Sequence, residues 1–421
     1  MKANRLRLEE YIRKYLELWD FYGVIRVVGK GEVLFENAYG YANIEFGLKN
    51  TLNSRFTLAS VSKQLTAFAV MLLADRKMLD LDRSARLYLP AEMEIDEAIT
   101  VHHLLSHTSG LNNFYGFGHD FLNGYNRLDY SRTDFFQRYI NRKPTTPPGT
   151  AYDYNNSNYN LLAWIIEEVS GEKYEDFMRD QVFLPLGMTS TEVDDGSKVI
   201  RNRSLNYVRD FDAVVRSPYH NEKFSIGAGA IVSTCADLYR WYEGLRDRKM
   251  LSQQAYARFF QENQNHYCYG LEHHRLYGTD RYSHGGDYWG VSTYVQHFFE
   301  EDLSVIILSN NEAIHQYRLG QVISDILHDV DVPDPTKPEE VPMDEGKLRE
   351  YCGAYLKDKI EVETINGKMY FTRFAGNIHI EIYPVAEGSF ARRYSDQIHP
   401  YRIMENEKGE KMFLGYAKKE G

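Results

Sequence analysis

Cysteine is scarce in this chain: only Cys235, Cys268 and Cys352 occur among 421 residues. An odd number without metal-ligand spacing argues against a disulfide framework and a zinc site, and leaves the thiols as small apolar side chains for burial. Lys/Arg-rich runs are also missing, and the net charge is -11. The chain therefore carries no electrostatic footprint for nucleic acid or for an anionic membrane, and its expected partner is a small molecule or short peptide. No apolar run reaches the ~18 residues that a membrane span requires. The N-terminal Leu8, Tyr11, Ile12, Tyr15, Leu16 and Trp19 recur at helical spacing with charges between them, which reads as an amphipathic helix rather than a signal peptide, so the expected location is cytoplasmic. Repeats at solenoid spacing are absent, and no G-x-S-x-G elbow is present, which excludes an α/β-hydrolase triad.

What the chain does have is length for more than one core. Two β-rich runs surround Gly29-Lys30-Gly31 and predict a hairpin, and residues 60 to about 260 read mainly as helices and long loops. In that region Leu161, Leu162, Ile165, Ile166 and Val169 form one helix face that Gly171 ends. Strands return over 290–310, joined at Glu300-Glu301-Asp302, and a helix carrying Val322, Ile323, Ile326 and Leu327 follows. Four of the twelve prolines, Pro333, Pro335, Pro338 and Pro342, then fall in one acidic stretch, the expected domain boundary. The predicted organisation is a catalytic domain over 1–332, a linker over 333–344 and a small β-barrel-like domain over 345–421, with turns at Ile365-Asn366-Gly367 and Lys408-Gly409.

Chemistry concentrates first at Ser60 and Lys63. At i and i+3 on a first helical turn the two side chains share a face, so the amine can reach the hydroxyl. Leu65, Phe68, Ala69, Met71, Leu72 and Leu73 make the following helix apolar nearly all round, hence buried, and burial together with the positive end of the helix dipole disfavours a charged lysine. Such a lysine can take a proton from serine, which then attacks an acyl carbon. Ser170-Gly171-Glu172-Lys173 repeats the spacing, but at a glycine-stopped helix end with a charged exterior, where it reads as capping and surface.

Tyr154-Asn155-Asn156 lies between a Pro-Gly turn and a helix, in a position suited to a rigid loop that carries catalytic groups. A phenol ionises only if a cation such as Lys63 stabilises its phenolate, and Asn156 can hold the lysine or a substrate amide. Tyr41-Ala42-Asn43 and Tyr219-His220-Asn221 match the same pattern and read as ordinary strand or loop. His284-Gly285-Gly286 precedes the returning strands, where paired glycines let a substrate backbone approach. Gly227-Ala228-Gly229 lacks the third glycine of a dinucleotide fingerprint, and His102, His103 and His107 are explained by helix packing and a Ser-Gly turn rather than by metal.

Together "RFTLASVSKQLTA", "ITVHHLLSHTSGL", "PGTAYDYNN", "GAGAIVSTCADLYRW" and "YSHGGDYWGVSTYV", in this order over about residues 20–330, resemble the serine β-lactamase and penicillin-binding protein superfamily, nearest its class C-like branch of D-aminopeptidases, esterases and CubicO-type peptidases. The resemblance implies an α+β fold, an antiparallel sheet flanked by helices with a mostly helical insertion, plus a small all-β C-terminal domain similar to a lipocalin. It implies Ser60 as nucleophile, Lys63 as its base, Tyr154 as the group that returns the proton, and Asn156, His284 and Gly286 as substrate contacts. The oxyanion hole would be the backbone amides of Ser60 and Asp287. No cofactor and no metal are expected, and room is left for an oligomer. His284 stands where many members have the lysine of Lys-Thr-Gly, so peptidase or esterase activity is expected above β-lactamase activity. The alternative from another class is a slowly acylating or non-catalytic penicillin-binding-type sensor. Specificity is expected from the aromatic loop over 112–130.

Overall fold

Successive side chains of a strand point to opposite faces, and Gly23–Gly29 uses both: Val24 and Val28 enter one apolar cluster, Ile25 and Val27 another. A strand buried on both faces belongs to the middle of a layered fold. The computed structural model describes residues 2–114, 128, 130–141, 143–355, 360–373, 378–396, 401–405 and 411–413. Helix α1 (Lys2–Leu18) precedes the hairpin of β1 (Gly23–Gly29) and β2 (Glu32–Tyr39). The middle of the chain contributes helices α2 (Ser62–Asp75), α3 (Asn156–Ser170) and α4 (Cys235–Asp247). Strands β3 (Glu272–Leu276), β4 (Thr279–Tyr288), β5 (Val291–Phe298) and β6 (Leu303–Ser309) return to the sheet, and helix α5 (Gln316–Leu327) follows.

These six strands form one antiparallel sheet in the order β3-β4-β5-β6-β1-β2, closed in the middle by β1 against β6 with Gly23 opposite Ser309. Helices α1 and α5 cover one face through Leu8, Ile12, Leu319 and Ile323, while the helical insertion covers the other through Leu65, Phe68, Leu162 and Leu238. The expected α+β layering is thus present, with the insertion between β2 and β3. The first hairpin turns at Lys30 (φ +53°) and Gly31 (φ +76°), the left-handed pair that matches the twist of the flanking strands.

Two features of the insertion differ from the expectation of helices and loops. Phe56–Thr57, Ile231–Ser233 and Glu192–Val193 form a small three-stranded sheet, and Tyr207–Asp210 pairs with Ala213–Arg216 as a hairpin. Segments of two to four residues are too short to display a period, so only tertiary pairing reveals them. Gly171 ends α3 in the left-handed conformation at φ +74°, as its position after the apolar face predicts.

Beyond the proline-rich stretch, seven strands from Gly353–Tyr355 to Lys411–Phe413 pair in chain order as an antiparallel meander around Leu348, Val362, Met369, Phe371, Ile382 and Phe390. Its first and last strands lie close to each other. Asn366 and Gly367 turn at φ +52° and +77°, as their sequence predicts, whereas Lys408-Gly409 lies outside the described residues. No helix among the described residues is long and apolar enough to cross a membrane.

Burial of imidazoles in this fold has a consequence for acid stability. His297 on β5 is fully buried beside Ser304, with its pKa pushed down from 6.5 to about 3 by desolvation. Between those values the unfolded chain binds a proton that the folded chain refuses, so stability is lost as pH falls through this window, at about 1.4 kcal/mol per pH unit for one group. His297→Phe is expected to flatten the dependence by that amount in denaturant titrations between pH 4 and 6. An unchanged slope would show that His297 takes up its proton without unfolding.

Candidate active site

Ser60 sits on a single 3₁₀ turn, Ala59–Val61, that leads directly into α2. The segment before it is anchored by Phe56–Thr57 in the small sheet and by the Leu58 amide, which donates to the Ile231 carbonyl at 2.8 Å. Ala59 adopts φ +47°, a conformation costly for a residue with a side chain and one that recurs where a fold holds a reactive group in place. Ser60 itself is half-buried.

Lys63 is 0% exposed, on a helix whose residues 62–73 are all buried. Its Nζ lies 2.9 Å from Ser60 Oγ, 2.8 Å from Asn156 Oδ1 and 2.9 Å from the Ala228 carbonyl oxygen. No carboxylate is among these partners, and desolvation holds the amine well below its usual 10.5. Asn156 Oδ1 and the Ala228 carbonyl can only accept, so two N–H groups point to them, and the remaining position on Nζ faces the Ser60 hydroxyl, donating when the amine is charged and accepting when it is neutral.

Tyr154 and Asn156 arrive from the loop ahead of α3, where the Asn155 side chain caps the helix by accepting from the Ser157 amide at 2.8 Å. Among the described residues the buried Tyr154 hydroxyl closes no hydrogen bond of full geometry, yet it lies near enough to the Ser60 side chain for that group to oppose the rise in its pKa. Burial dominates and pushes the phenol well above 10. Burial thus opposes the charged form of both partners, with Lys63 Nζ 4.9 Å from the phenol ring centroid.

His107, read from the sequence as packing, belongs to this site. Its carbonyl accepts from the Asp153 amide at 2.9 Å and its Nδ1 from the Asn155 amide at 3.1 Å, so one residue grips the chain on both sides of Tyr154. Its ring lies against Tyr154 and Tyr267, with centroids 4.4 and 4.8 Å away. A backbone N–H can only donate, so Nδ1 must accept and the imidazole must be neutral with its proton on Nε2. Desolvation, reinforced by Lys63 and His284, lowers its pKa well below 6.5. His102 and His103 are engaged elsewhere, with Tyr269 at 2.7 Å and as the capping box of Thr100. Among the described residues no cluster of three or more His, Cys, Asp or Glu is arranged to hold a metal ion.

His284 is on β4, 3% exposed, with Nδ1 donating to the Gly285 carbonyl at 2.7 Å and Nε2 accepting from the Tyr267 hydroxyl at 3.1 Å. Desolvation, then Lys63, pushes its pKa down to about 3, so it is uncharged near neutral pH rather than partly charged. Pairing of β4 with β3 ends at Ser283, and residues 284–288 pair only with β5. The glycines were expected to admit a substrate backbone, and the side on which a Cβ would stand is taken up by the chain itself. A Cβ on Gly285 would meet the Tyr317 ring at 2.1 Å, and one on Gly286 would meet the Leu58 carbonyl at 2.3 Å and lie 3.0 Å from the Ser60 nitrogen. Thr293 ties the two layers, its hydroxyl donating to the Leu58 carbonyl at 2.8 Å. Asp287 follows with its carboxylate held by the Gln316 amide at 2.7 Å.

The structure thus brings together Ser60, Lys63, Tyr154, Asn156, His284 and Gly286. It sets the look-alikes apart: Ser170 ends α3 and accepts from the Glu172 amide, and Tyr41–Asn43 is a short strand. Most of the expected specificity loop, residues 115–127, lies outside the described residues. The Ala228 carbonyl went unnoticed in the sequence. Its signal was the Gly227-Ala228-Gly229 run, since a Cβ at Gly227 would meet the Tyr159 carbonyl at 2.1 Å and only glycine lets this turn approach α3.

A family model described as Beta-lactamase matches residues 8–322. Penicillin-binding protein 4* of Bacillus subtilis (strain 168) is 27% identical to this chain and covers 93% of it over 93% of its own length. D-aminopeptidase of Gluconobacter oxydans (strain 621H) is 26% identical over 72% of this chain, which spans 58% of that protein. Among solved structures, the octameric penicillin-binding protein homologue from Pyrococcus abyssi matches 97% of this chain and 94% of its own at a TM-score of 0.68 and 21% identity, a likeness of fold. With the family match spanning most of its length, the chain belongs to the Beta-lactamase family and is a serine acyl hydrolase.

Proposed function

We propose that this protein hydrolyses a small amide or ester through an acyl-enzyme on Ser60. The observation that carries the reading is the buried Lys63 amine 2.9 Å from the Ser60 hydroxyl, its pKa held well below 10.5 by desolvation. Ser60 Oγ attacks the acyl carbon while its proton passes to Lys63 Nζ. The oxyanion is held by the backbone amides of Ser60 and Asp287. Tyr154 gives its proton to the leaving atom as the bond to the acyl carbon breaks, and regains one from Lys63. Water then attacks the ester, its proton goes to Lys63, and Ser60 leaves with a proton restored. In this reading residues 1–332 form the catalytic unit, 333–344 a tether and 345–421 an accessory unit.

The substrate class follows from charge. His284 and His107 are neutral, so neither offers a cation to a substrate carboxylate of the penicillin kind. Carboxylates, in contrast, exert their field on the site's tyrosines: Glu272 on Tyr152, Tyr154 and Tyr317, and Asp287 on Tyr317. An acyl group bearing an amine suits that field, and a relative named D-aminopeptidase supports the same choice. Amides and esters of D-amino acids therefore rank above β-lactams. A second reading, slow acylation without turnover, draws on the relative named Penicillin-binding protein 4*; a burst of leaving group without steady release would favour it.

Intact-protein mass after fluorophosphonate exposure tests the nucleophile. Labelling is expected for wild type and Ser170→Ala and lost in Ser60→Ala; an unlabelled wild type would overturn the reading. A second prediction concerns His107. His107→Asn keeps an acceptor near Nδ1 and tolerates the left-handed backbone of φ +58°, whereas His107→Leu removes the acceptor. The leucine variant is expected to lose roughly tenfold or more in kcat, about 1.4 kcal/mol of barrier, with KM little changed, and the asparagine variant to recover most of it. Equal kcat in the two folded variants would show that this bond does not position Tyr154.

A further inference from the structure

The turn between β4 and β5, Trp289 and Gly290, begins two residues beyond Asp287 and is gripped from the C-terminal sheet. Trp289 shares an apolar cluster with Val208 and with Ile378 of that sheet. Gly290 turns at φ +69°, and a Cβ there would lie 2.8 Å from the Tyr207 nitrogen and oxygen. Its amide donates to Glu312 Oε1 at 2.9 Å. The other carboxylate oxygen of Glu312 lies 3.6 Å from Nη1 of Arg392, a residue of the C-terminal sheet whose side chain is 3% exposed. Ser395 donates its hydroxyl to the Glu312 carbonyl, and the Asp396 amide donates to the Ala313 carbonyl at 3.0 Å. From the same segment Gln316 donates to both carboxylate oxygens of Asp287 at 2.7 Å.

This pair differs from a surface salt bridge, whose partners exchange readily for water. The Glu312 side chain is 11% exposed and Arg392 3%, so replacing either with an apolar group upsets the charge balance where water reaches little, and a carboxylate that loses the Arg392 guanidinium gains from turning toward solvent. A carboxylate that turns away from Arg392 also leaves the Gly290 amide. The contacts therefore run without a gap from the C-terminal sheet, through residues 312–316, to the strand end that lies against the Ser60 backbone.

We propose that the C-terminal sheet positions the oxyanion side of the site: Arg392, acting through Glu312, fixes the Trp289–Gly290 turn and with it the Gly286–Asp287 backbone beside Ser60. Arg392 is a positioning residue, touching neither substrate nor reacting atoms. The proposal rests on the reading of Ser60 as nucleophile, so its test carries a readout that does not depend on activity.

Hydrogen–deuterium exchange over residues 284–292 and the rate of fluorophosphonate labelling are compared in the full chain for wild type, Arg392→Met, Glu312→Leu and the double variant Arg392→Met/Glu312→Gln. The two single variants are expected to exchange at least tenfold faster in that segment and to label at least fivefold more slowly. The double variant removes both charges together and keeps an oxygen for the Gly290 amide, so it is expected to return toward wild type in both. General destabilisation would raise exchange throughout the chain, so exchange in β1 (Gly23–Gly29) is followed alongside and is expected to stay as in wild type, and if one single variant fails to fold the other carries the comparison. Unchanged exchange overturns the proposal, as does faster exchange with unchanged labelling, or a double variant as impaired as Arg392→Met. If wild type does not label, the reading of Ser60 fails instead, and the exchange result alone decides whether the grip exists.

Discussion

The exclusion of water and of counter-charge around one amine is the constraint on which this structure depends. Lys63 is buried without a carboxylate, and a charged ammonium in such surroundings costs several kcal/mol, a large share of the ~5–15 kcal/mol that holds a domain together. Releasing the proton is cheaper than holding it. The apolar sequence of α2 serves that end, since residues 62–73 leave no face to solvent. Three separate parts of the chain then meet at Nζ: the 3₁₀ turn with Ser60, the start of α3 with Asn156, and the glycine-flanked Ala228 carbonyl. Each arrives by a different piece of the fold, so the amine binds the insertion together as much as it is buried by it.

The same exclusion extends to the groups around it. His107 is locked into one neutral tautomer by an amide that can only donate, the Gly285 carbonyl holds the proton of His284 on Nδ1 while burial disfavours a second, and burial keeps the Tyr154 proton in place. A site assembled from neutral groups in a low dielectric has little competing charge of its own at the serine, so the first charge to appear during acylation would be felt strongly by nearby amides. Carboxylates remain at the margin: Glu272 raises the pKa of Tyr154 and Tyr317, and Asp287 that of Tyr317, in both cases behind desolvation.

Much of this was legible in the sequence where side-chain chemistry carried it. Ser60 and Lys63 share a turn whatever the tertiary fold, and an apolar helix around a lysine announces burial. Tyr154, Asn156 and His284 followed from loop position and motif order. What escaped was chemistry carried by backbone or by distant packing. The Ala228 carbonyl has no side chain to read, and His107 acts on residues 46 and 48 positions away. The glycines at 285 and 286 signalled a close approach correctly, but the approaching partners, Tyr317 and Leu58, are set by contacts that no local period encodes.

The protonation state of Lys63 is the quantity to measure, by following lysine side-chain NMR resonances with pH in the folded protein, with Lys63→Arg to assign the signal. A midpoint far below the usual 10.5, leaving a neutral amine available at pH 7, is the predicted result. A midpoint near 10.5 would mean that the amine is charged beside Ser60, and a base other than Lys63 would have to take the serine proton.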